Sequence, residues 1–298
     1  MANTLTSMQA RIFADSAIRK FNSILTPFKA FARDFSNQTA MKGDVVRVPV
    51  FPTVSAGSYS GSYSATDRTI TGTDISINQH IFISTAFTDR EIAESPADYF
   101  TNMGAQAAKG VAKSFLTTTW GSVTAANFGN TSADKVTIAA ASFTSDYVAD
   151  LRTKLFAKGI AAPEASLIMD TAYWTALLKE STLTAAFYGG AEAVRGGQIP
   201  QLFGFDGVYE SAIIPGNSEN LVGFACSPQA IGVAIRYLKP QSTVALIDAG
   251  YVSDEETGVT LGIRVIPEPL AGKVHYVVEC LYGYSVIDGT SLVRLLSA

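Results

Sequence analysis

The stretch SPADYFTNMGAQAAKGVAKSFLTTT, residues 95–119, predicts a long helix that decides the fold. Ser95 is a typical capping residue, and Pro96 fits the first helical position. An apolar stripe at three- and four-residue spacing follows, and at 1.5 Å per residue the helix would be about 36 Å long. Gly104 and Gly110 weaken the helix intrinsically, so we expect tertiary packing to hold it.

The segment before this helix, residues 44–85, predicts a long two-stranded excursion. β-Branched residues dominate Val45 to Phe51, and an extended pattern resumes after an unusual central part. That part, residues 53–68, is almost free of aliphatic side chains and contains Gly-Ser-Tyr-Ser twice, at 57–64. Because an isolated two-stranded ribbon is only marginally stable in water, we expect a neighbouring copy to support it.

The first 43 residues predict an amphipathic arm. Apolar side chains such as Phe13 and Phe21 recur at helical spacing, and Pro27 should kink or split the helix. Residues 1–50 carry seven basic and three acidic side chains, a local charge of +4. The basic residues are dispersed among Phe, Ile and Ala, which indicates a solvated helix face rather than a nucleic-acid patch.

The rest of the chain combines a mixed segment with two long strands. Residues 140–255 alternate helical and strand patterns, which indicates a second domain. The tail returns to extended patterns at 260–267 and 273–284. These two strands could rejoin the long helix, so that both ends of the chain form one domain around an inserted one.

The composition favours an assembled protein. Of the 298 residues, 47% are hydrophobic, which excludes intrinsic disorder. Only 16% are charged, although no apolar run approaches the length of a membrane span. The net charge of −4 gives no overall attraction to nucleic acid or anionic lipid. Coverage of the surface by neighbouring chains would explain the missing charge, because interface cores are depleted in charged residues.

No motif for catalysis, cofactor binding or metal binding is present. His80 and His275 lie on separate predicted strands without metal-ligand spacing, and the two cysteines form no paired motif. We expect structural roles for both histidines and buried thiols for both cysteines. An alternative is a cytoplasmic enzyme of mixed α and β structure that uses carboxylates such as Asp170 or Glu192, because catalytic carboxylates need no motif.

Four stretches carry a resemblance by their order and spacing: KGDVVRVP at 42–49, FTDREIAES at 87–95, GFDGVYES at 204–211 and FACSPQAIGVA at 224–234. In the order given, they resemble four segments of the proteins of one family. The first is the strand that leads into the extended loop, the second is the entry to the spine helix, and the last two are successive segments of the apical domain. That family is the major capsid proteins of tailed bacteriophages, with the Hong Kong phage-type (Johnson) fold.

The resemblance implies an α+β fold with four parts. Residues 1–43 would be the N-terminal arm and 44–85 the extended β-hairpin loop. Residues 86–139 together with 256–298 would form a discontinuous peripheral domain that contains the spine helix. Residues 140–255 would form an apical α/β domain.

The resemblance also implies a function. The chain would be a structural major capsid protein without catalysis, assembling into hexamers and pentamers of an icosahedral head that encloses double-stranded DNA. Each extended loop would lie over an adjacent subunit. The implied partners are a separate scaffolding protein, a portal and non-specifically contacted packaged DNA, with no membrane. Assembly would take place in the host cytoplasm, and the protein would reside in the virion. An encapsulin-like nanocompartment shell is the nearest alternative.

Seven residues are candidate contacts between subunits. Tyr59 and Tyr63 are amphipathic anchors on a loop of Gly and Ser, although an unassembled chain could leave the same tip exposed to solvent. Some family members crosslink their shells through a lysine in this loop, but no lysine occurs between Lys42 and Lys109, so we predict a non-covalent shell. The full set of candidate contacts is Tyr59, Tyr63, Arg68, Phe13, Phe21, Arg90 and Glu91.

Overall fold

The structure is a computed structural model that describes residues 2–3, 8–25, 27–35, 45–50, 58–59, 61, 71–94, 97–181, 202–240, 246–253 and 258–298. Within these residues the helices are α1 (Met8–Ile24), α2 (Phe28–Phe31), α3 (Asp89–Glu94), α4 (Ala97–Trp120), α5 (Ala125–Phe128), α6 (Ser145–Ala157) and α7 (Thr171–Lys179). The strands are β1 (Ala2–Asn3), β2 (Ala32–Asp34), β3 (Val45–Val50), β4 (Thr71–Ser76), β5 (Gln79–Thr88), β6 (Lys135–Thr137), β7 (Ser166–Met169), β8 (Gly207–Glu210), β9 (Leu221–Cys226), β10 (Ile231–Arg236), β11 (Asp248–Ser253), β12 (Thr260–Glu268), β13 (Lys273–Val286) and β14 (Leu292–Leu296).

The seven-stranded main sheet is organised around β13. Its strand order is β1-β11-β12-β13-β10-β2, and β5 pairs with the free side of β13. Residues 273–282 of β13 pair antiparallel with β5, while β12 and then β10 pair antiparallel along the opposite side. Strand β13 therefore pairs with its sequence neighbour β12 and with two strands from more distant parts of the chain, β10 and β5.

Helices α1 and α4 cover one face of this sheet. Because side chains alternate along a strand, Tyr276 and Tyr282 of β13 both point to the helices. The ring of Phe13 on α1 lies 5.3 Å from that of Tyr276, and the ring of Phe115 on α4 lies 4.6 Å from that of Tyr282. Burial raises the pKa of Tyr282 to about 12. This aromatic layer joins both helices to the sheet.

The two glycines of α4 mark its closest contacts. A Cβ atom at Gly104 would lie 2.5 Å from the carbonyl oxygen of Phe13 and equally close to Ser16 Oγ. A Cβ at Gly110 would come closest to Ile83 Cδ1, the far end of a flexible side chain. Both glycines thus let a neighbouring element approach α4, but only at Gly104 is that neighbour a main-chain atom. The tertiary packing expected for this helix is therefore found at these positions.

These contacts predict opposite outcomes for two alanine substitutions. Alanine favours a helix interior over glycine by about 1 kcal/mol. Gly110→Ala should be neutral or slightly stabilising, because the Ile83 side chain can rotate away. Gly104→Ala should lower the free energy of unfolding by roughly 1–3 kcal/mol, because the main chain of α1 must move. Urea denaturation of both variants tests this, and equal effects would contradict it.

A five-stranded second sheet has the order β6-β14-β9-β7-β8. It packs with α6 and α7 around a separate core that includes Leu151, Leu167 and Trp174. Asp170 precedes α7 as its capping residue and accepts a hydrogen bond from the main-chain nitrogen of Ala172 at 3.2 Å. Asp170, the carboxylate considered above for catalysis, therefore caps a helix.

A fully buried arginine, Arg294 on β14, connects this second sheet to the end of the long helix. Its guanidinium pairs with Glu219 and donates to the carbonyl oxygen of Gly129 at 2.6 Å. Glu219 also accepts from the main-chain nitrogen of Ala125, the first residue of α5, at 2.9 Å. A single ion pair therefore ties β14, the turn before β9 and the segment that follows α4.

The structure confirms several elements predicted from sequence. The long helix is present as α4, although Ser95 and Pro96 lie outside the described residues. The N-terminal helix is split at Pro27 into α1 and α2. Cys226 and Cys280 are buried thiols.

The interpretation of Phe13 and Phe21 as subunit contacts needs correction. Both side chains are fully buried within their own chain. The ring of Phe21 lies 6.4 Å from that of Phe115. The physical reason is that the apolar stripe of α1 fits against α4 and the inner face of the main sheet, so its burial needs no second copy.

Strand pairing differs from the fourfold division at three places. The ribbon expected over 44–85 ends at Ser76, because β5 pairs along its whole length with β13. Strands β10 and β11 belong to the main sheet, although they fall inside 140–255. Strands β6 and β14, from the proposed peripheral domain, belong to the second sheet. The domain boundaries themselves stay a prediction.

Candidate assembly surfaces

Strands β3 and β4, within the segment predicted to be the extended loop, form a two-stranded ribbon. The strands are antiparallel, with Val45 opposite Ser76 and Val50 opposite Thr71. One ribbon face is buried, and the side chains that it buries form a small core with the main sheet. The members of this core are Phe35, Val46, Val48, Ile75, Ile77 and Ala234, with Leu281 and Ile287 partly buried beside them.

Two glycines let the ribbon lie directly on the sheet. A Cβ at Gly283 of β13 would lie only 2.2 Å from the carbonyl oxygen of Ser76 and 2.9 Å from Ile77 Cα. A Cβ at Gly232 of β10 would lie 2.8 Å from Ile75 Cδ1. Gly283 alternates with Tyr282, which faces the helices, so the ribbon occupies the opposite face of the main sheet. We call Gly232 and Gly283 the ribbon seat.

The other side of the ribbon faces outwards. Val45 is 40% exposed and Tyr59, in the Gly-Ser-Tyr-Ser repeat, is 65% exposed. The one cross-ribbon ion pair among the described residues joins Arg47 Nε to Asp74 Oδ1 at 3.9 Å, and both side chains are largely exposed. Such a surface pair adds little to stability. The ribbon thus packs on the main sheet through one face, and Tyr59 is an exposed residue of the same sequence segment.

Beyond the ribbon, the same sheet face carries an exposed aromatic residue beside a charged network. Phe82 on β5 is 63% exposed, directly opposite Glu279 on β13. Glu279 is only 5% exposed, and its carboxylate accepts from Arg264 Nε at 2.7 Å. His80 Nε2 lies 3.1 Å from the other oxygen of the same carboxylate.

The second histidine lies on this face as well. His275 Nε2 is 2.9 Å from Glu268 Oε2, and its Nδ1 is 3.2 Å from Ser84 Oγ. Both histidines are therefore held by neighbouring side chains, as expected of structural residues. The described part of the chain contains no group of three or more His, Cys, Asp or Glu side chains placed to hold a metal ion.

The turn between β12 and β13 forms an exposed apolar tip. Leu270 is completely exposed, and Gly272 ends the turn with a φ of +56°, in the left-handed region that favours glycine. The carbonyl oxygen of Gly272 accepts from the main-chain nitrogen of Asp89 at 3.1 Å. This bond places the tip beside the start of α3.

Helix α3 carries two of the candidate contact residues. Glu91 accepts from the main-chain nitrogen and the hydroxyl of Thr88, at 2.8 and 2.9 Å, and these bonds hold the pKa of its carboxyl below the usual range. Arg90 Nε is 3.0 Å from Glu94 Oε2, and both side chains are strongly exposed. Glu91 therefore caps its own helix, whereas Arg90 faces solvent beside the tip.

The structure brings only part of the predicted contact set to the surface. Arg90 and Glu91 lie together on α3, and Tyr59 is exposed. Tyr63 and Arg68 lie outside the described residues. Phe13 and Phe21 are in the core.

Three further residues were missed by the analysis of the sequence: Phe82, Leu270 and Gly283. The alternation of Ile81, Phe82 and Ile83 does place Phe82 on the face opposite its neighbours. A glycine inside an otherwise apolar strand, as at 283, often marks the close approach of another main chain.

A groove of about 390 Å³ lies between α7 and the residues before α6. Ala140, Phe143 and Ala176 contribute apolar surface, and Lys179 and Glu180 are its charged residues. Glu180 accepts hydrogen bonds from the nitrogen and the hydroxyl of Ser145, both at 2.7 Å, so its carboxylate holds the start of α6. Glu192, the other carboxylate considered for an enzyme, lies outside the described residues.

Among the residues that the structure describes, no helix has the length and apolar character needed to cross a membrane. Comparison with family models matches residues 83–295 to a family described as phage capsid protein. No curated protein sequence matches the chain.

Solved structures share the fold over almost the whole chain. A chain of Mycobacterium phage Che8 is 18% identical, with a TM-score of 0.57 and 90% of each chain covered. A chain in the capsid structure of Cyanophage P-SCSP1u is 14% identical, with a TM-score of 0.60, over 91% of this chain and 86% of that one. A chain in the mature capsid of bacteriophage PhiM1 is 13% identical, with a TM-score of 0.59 and the same coverage. At these identities the likeness establishes the α+β fold.

Proposed function

Because this chain belongs to the phage capsid protein family and is a structural protein of the viral shell, we propose that it assembles into hexamers and pentamers of an icosahedral head. The extended loop of each subunit lies over an adjacent subunit. The observation that carries this proposal is the ribbon, which is anchored at its base on the ribbon seat while Tyr59 remains exposed.

The exposed sheet face offers a matching surface for a neighbouring copy. Phe82 supplies apolar area, and the neighbouring buried carboxylate of Glu279 is already paired with Arg264, so covering Phe82 does not leave this carboxylate unpaired. Leu270 adds a second apolar contact at the tip of the β12–β13 turn. Large apolar or aromatic anchors of this kind dominate the energy of protein interfaces.

The partners and location form the finer part of the proposal. A separate scaffolding protein directs assembly in the host cytoplasm, and a portal provides the entry for double-stranded DNA. The chain has no catalytic task, which fits the structural use of Asp170 and Glu180 described above. Residues 1–43, 44–85, 86–139 with 256–298, and 140–255 act as arm, loop, peripheral and apical parts.

Electron microscopy and light scattering of the purified chain test this function, with and without co-expression of a candidate scaffolding protein. Closed shells or discrete hexamers are expected. A stable monomer or dimer under both conditions would overturn the proposal. Particles filled with an enzyme rather than DNA would favour the encapsulin-like alternative, which the family match does not favour.

Mature particles should dissociate completely into single subunits on a denaturing gel under reducing conditions. The physical reason is that residues 43–108 contain no lysine, so the extended loop lacks the amine needed for a crosslink. Subunit ladders that survive boiling in detergent would contradict this expectation. Particles of a phage known to crosslink its shell provide the positive control.

A further inference from the structure

Strand β5 forms an open edge of the main sheet. It has ten residues and pairs along its whole length with β13, without a shift of register. Among the described residues no strand pairs with its other side. An edge of this kind presents a row of unbonded main-chain groups to any other strand that approaches it. The outer side of β5 is therefore a candidate site for pairing with another chain.

Two hydrogen bonds show which main-chain groups of β5 point outwards. The nitrogen of Asp89 donates to the carbonyl oxygen of Gly272 at 3.1 Å, in continuation of the pairing with β13. The nitrogen of Thr88 points the other way and donates to the carboxylate of Glu91 at 2.8 Å. Because successive residues of a strand direct these groups to alternate sides, every second residue before Thr88 also points away from β13. These residues are His80, Phe82, Ser84 and Ala86.

The other terminal strands of the three sheets are protected against such pairing, but β5 is not. Strands β1, β2, β6 and β8 have only two to four residues. Strand β3 contains Pro49, and β4 carries Asp74. Short strands, proline and charged side chains are the usual devices that keep an edge unpaired. The four outward residues of β5 include no proline, lysine or acidic residue, and all four are exposed.

The edge is complementary to a second copy of itself. Ser84 is the middle of the outward positions, which run from His80 to Thr88. An antiparallel copy related by a twofold axis at Ser84 therefore sets its outward main-chain groups against those of the first copy, and facing residues exchange hydrogen bonds. Phe82 then lies opposite the partner's Ala86, so that a large side chain meets a small one. The pairing ends at Thr88, whose nitrogen is already bonded within its own chain.

We propose that β5 pairs antiparallel with β5 of a second copy, about a twofold axis at Ser84, so that two main sheets become one continuous sheet. Rings of five or six subunits are built from head-to-tail contacts, whereas a twofold contact joins two equal surfaces. The β5 pair therefore joins subunits of neighbouring rings. Only this assignment to neighbouring rings rests on the proposed function.

Disulfide formation tests the position of the axis. Facing residues of a hydrogen-bonded antiparallel pair have Cα atoms about 5.5 Å apart, within the range that a disulfide spans. Ser84→Cys should therefore give disulfide-linked pairs under mild oxidation. The control, Ser142→Cys, makes the same change at an exposed position shortly before α6 and should stay unlinked at the same concentration. Cys226 and Cys280 are buried and should not react. Equal linkage in both variants, or none in Ser84→Cys, would overturn the inference.

Charges at residue 84 test the pairing of equal surfaces. Ser84→Lys and Ser84→Asp each place like charges across the axis and should raise the dissociation constant of the pair about fivefold. A mixture of the two variants sets opposite charges against each other and should restore the association that each variant lacks alone. Sedimentation velocity compares the three samples, and circular dichroism verifies that the exposed substitution leaves the sheet folded. A mixture that associates no better than its components would overturn the inference.

Electron microscopy of Ser84→Lys separates this inference from the proposed function. Its subunits should still form rings, because the head-to-tail contacts use other surfaces, but the rings should not close into shells. Complete shells of this variant would overturn the assignment of the β5 pair to neighbouring rings. A failure of the unsubstituted chain to form rings, with the disulfide-linked pair still present, would instead count against the proposed function alone.

Discussion

Replacing Gly283 by alanine should abolish shell assembly while leaving the main sheet and its helices folded. The new Cβ would lie 2.2 Å from the carbonyl oxygen of Ser76 and 2.9 Å from Ile77 Cα. Main-chain atoms cannot rotate away from such an overlap, so β4 must lift off the sheet. The ribbon would lose its burial against Ala234 and Leu281, and the extended loop would no longer point to a neighbour.

Two other glycines provide matched controls. Gly216→Ala should assemble normally, because no atom of the described residues lies within 4 Å of its added Cβ. Gly232→Ala should reduce assembly only in part, since its Cβ would meet the side-chain ends of Ile287 and Ile75. Electron microscopy scores the shells, and circular dichroism verifies folding. Normal shells from Gly283→Ala would show that the ribbon seat has no part in assembly.

Replacing Arg294 by methionine should lower the free energy of unfolding by roughly 3–5 kcal/mol, as for other broken buried ion pairs. Glu219 would lose its partner, and the carbonyl oxygen of Gly129 would lose a donor. Typical domains have a free energy of unfolding of about 5–15 kcal/mol, so a loss of this size should leave the variant marginally stable or insoluble. Chemical denaturation followed by the fluorescence of Trp120 and Trp174 measures the loss.

A second substitution separates charge from packing at this site. Adding Glu219→Gln to Arg294→Met removes the uncompensated carboxylate and should recover part of the lost stability. Among the described residues Arg294 Nε has no hydrogen-bond partner, so the original pair is not fully satisfied and the double variant should approach the stability of the unsubstituted protein. A loss of less than about 1 kcal/mol in the single variant would show that the pair contributes little.

Local patterns predicted the helices well because their signals are contained in short segments. The spacing of apolar residues identified α4, and Pro27 located the break between α1 and α2. The partner of α1 could not be predicted, because an apolar stripe fits its own chain and a neighbouring copy equally well. Sequence alone assigned Phe13 and Phe21 to contacts with a neighbouring copy. Their complete burial within their own chain shows that this assignment was wrong.

The candidate assembly surfaces could be predicted only where the sequence has an unusual local composition. The Gly-Ser-Tyr-Ser repeat indicated an exposed tyrosine, and Tyr59 is exposed. The ribbon seat depends on how β4 crosses β13, two strands separated by about 200 residues, and no local pattern encodes that crossing. The role of Arg294 is similar, because its partner Glu219 is distant in sequence. A lone charge inside the apolar run LVRLL indicates a buried partner without identifying it.

The central position of β13 has a consequence for the order of events during synthesis. The main sheet cannot close until residues 273–286 have left the ribosome, because β5, β12 and β10 all pair with this strand. The pairings of β13 with β5 and β10, which are distant in sequence, raise the contact order and slow folding. Gly283 is in the same strand, so the ribbon has no seat on a nascent chain. We therefore expect a subunit to become competent for assembly only after β13 has left the ribosome, which keeps shorter growing chains on one polysome from associating prematurely.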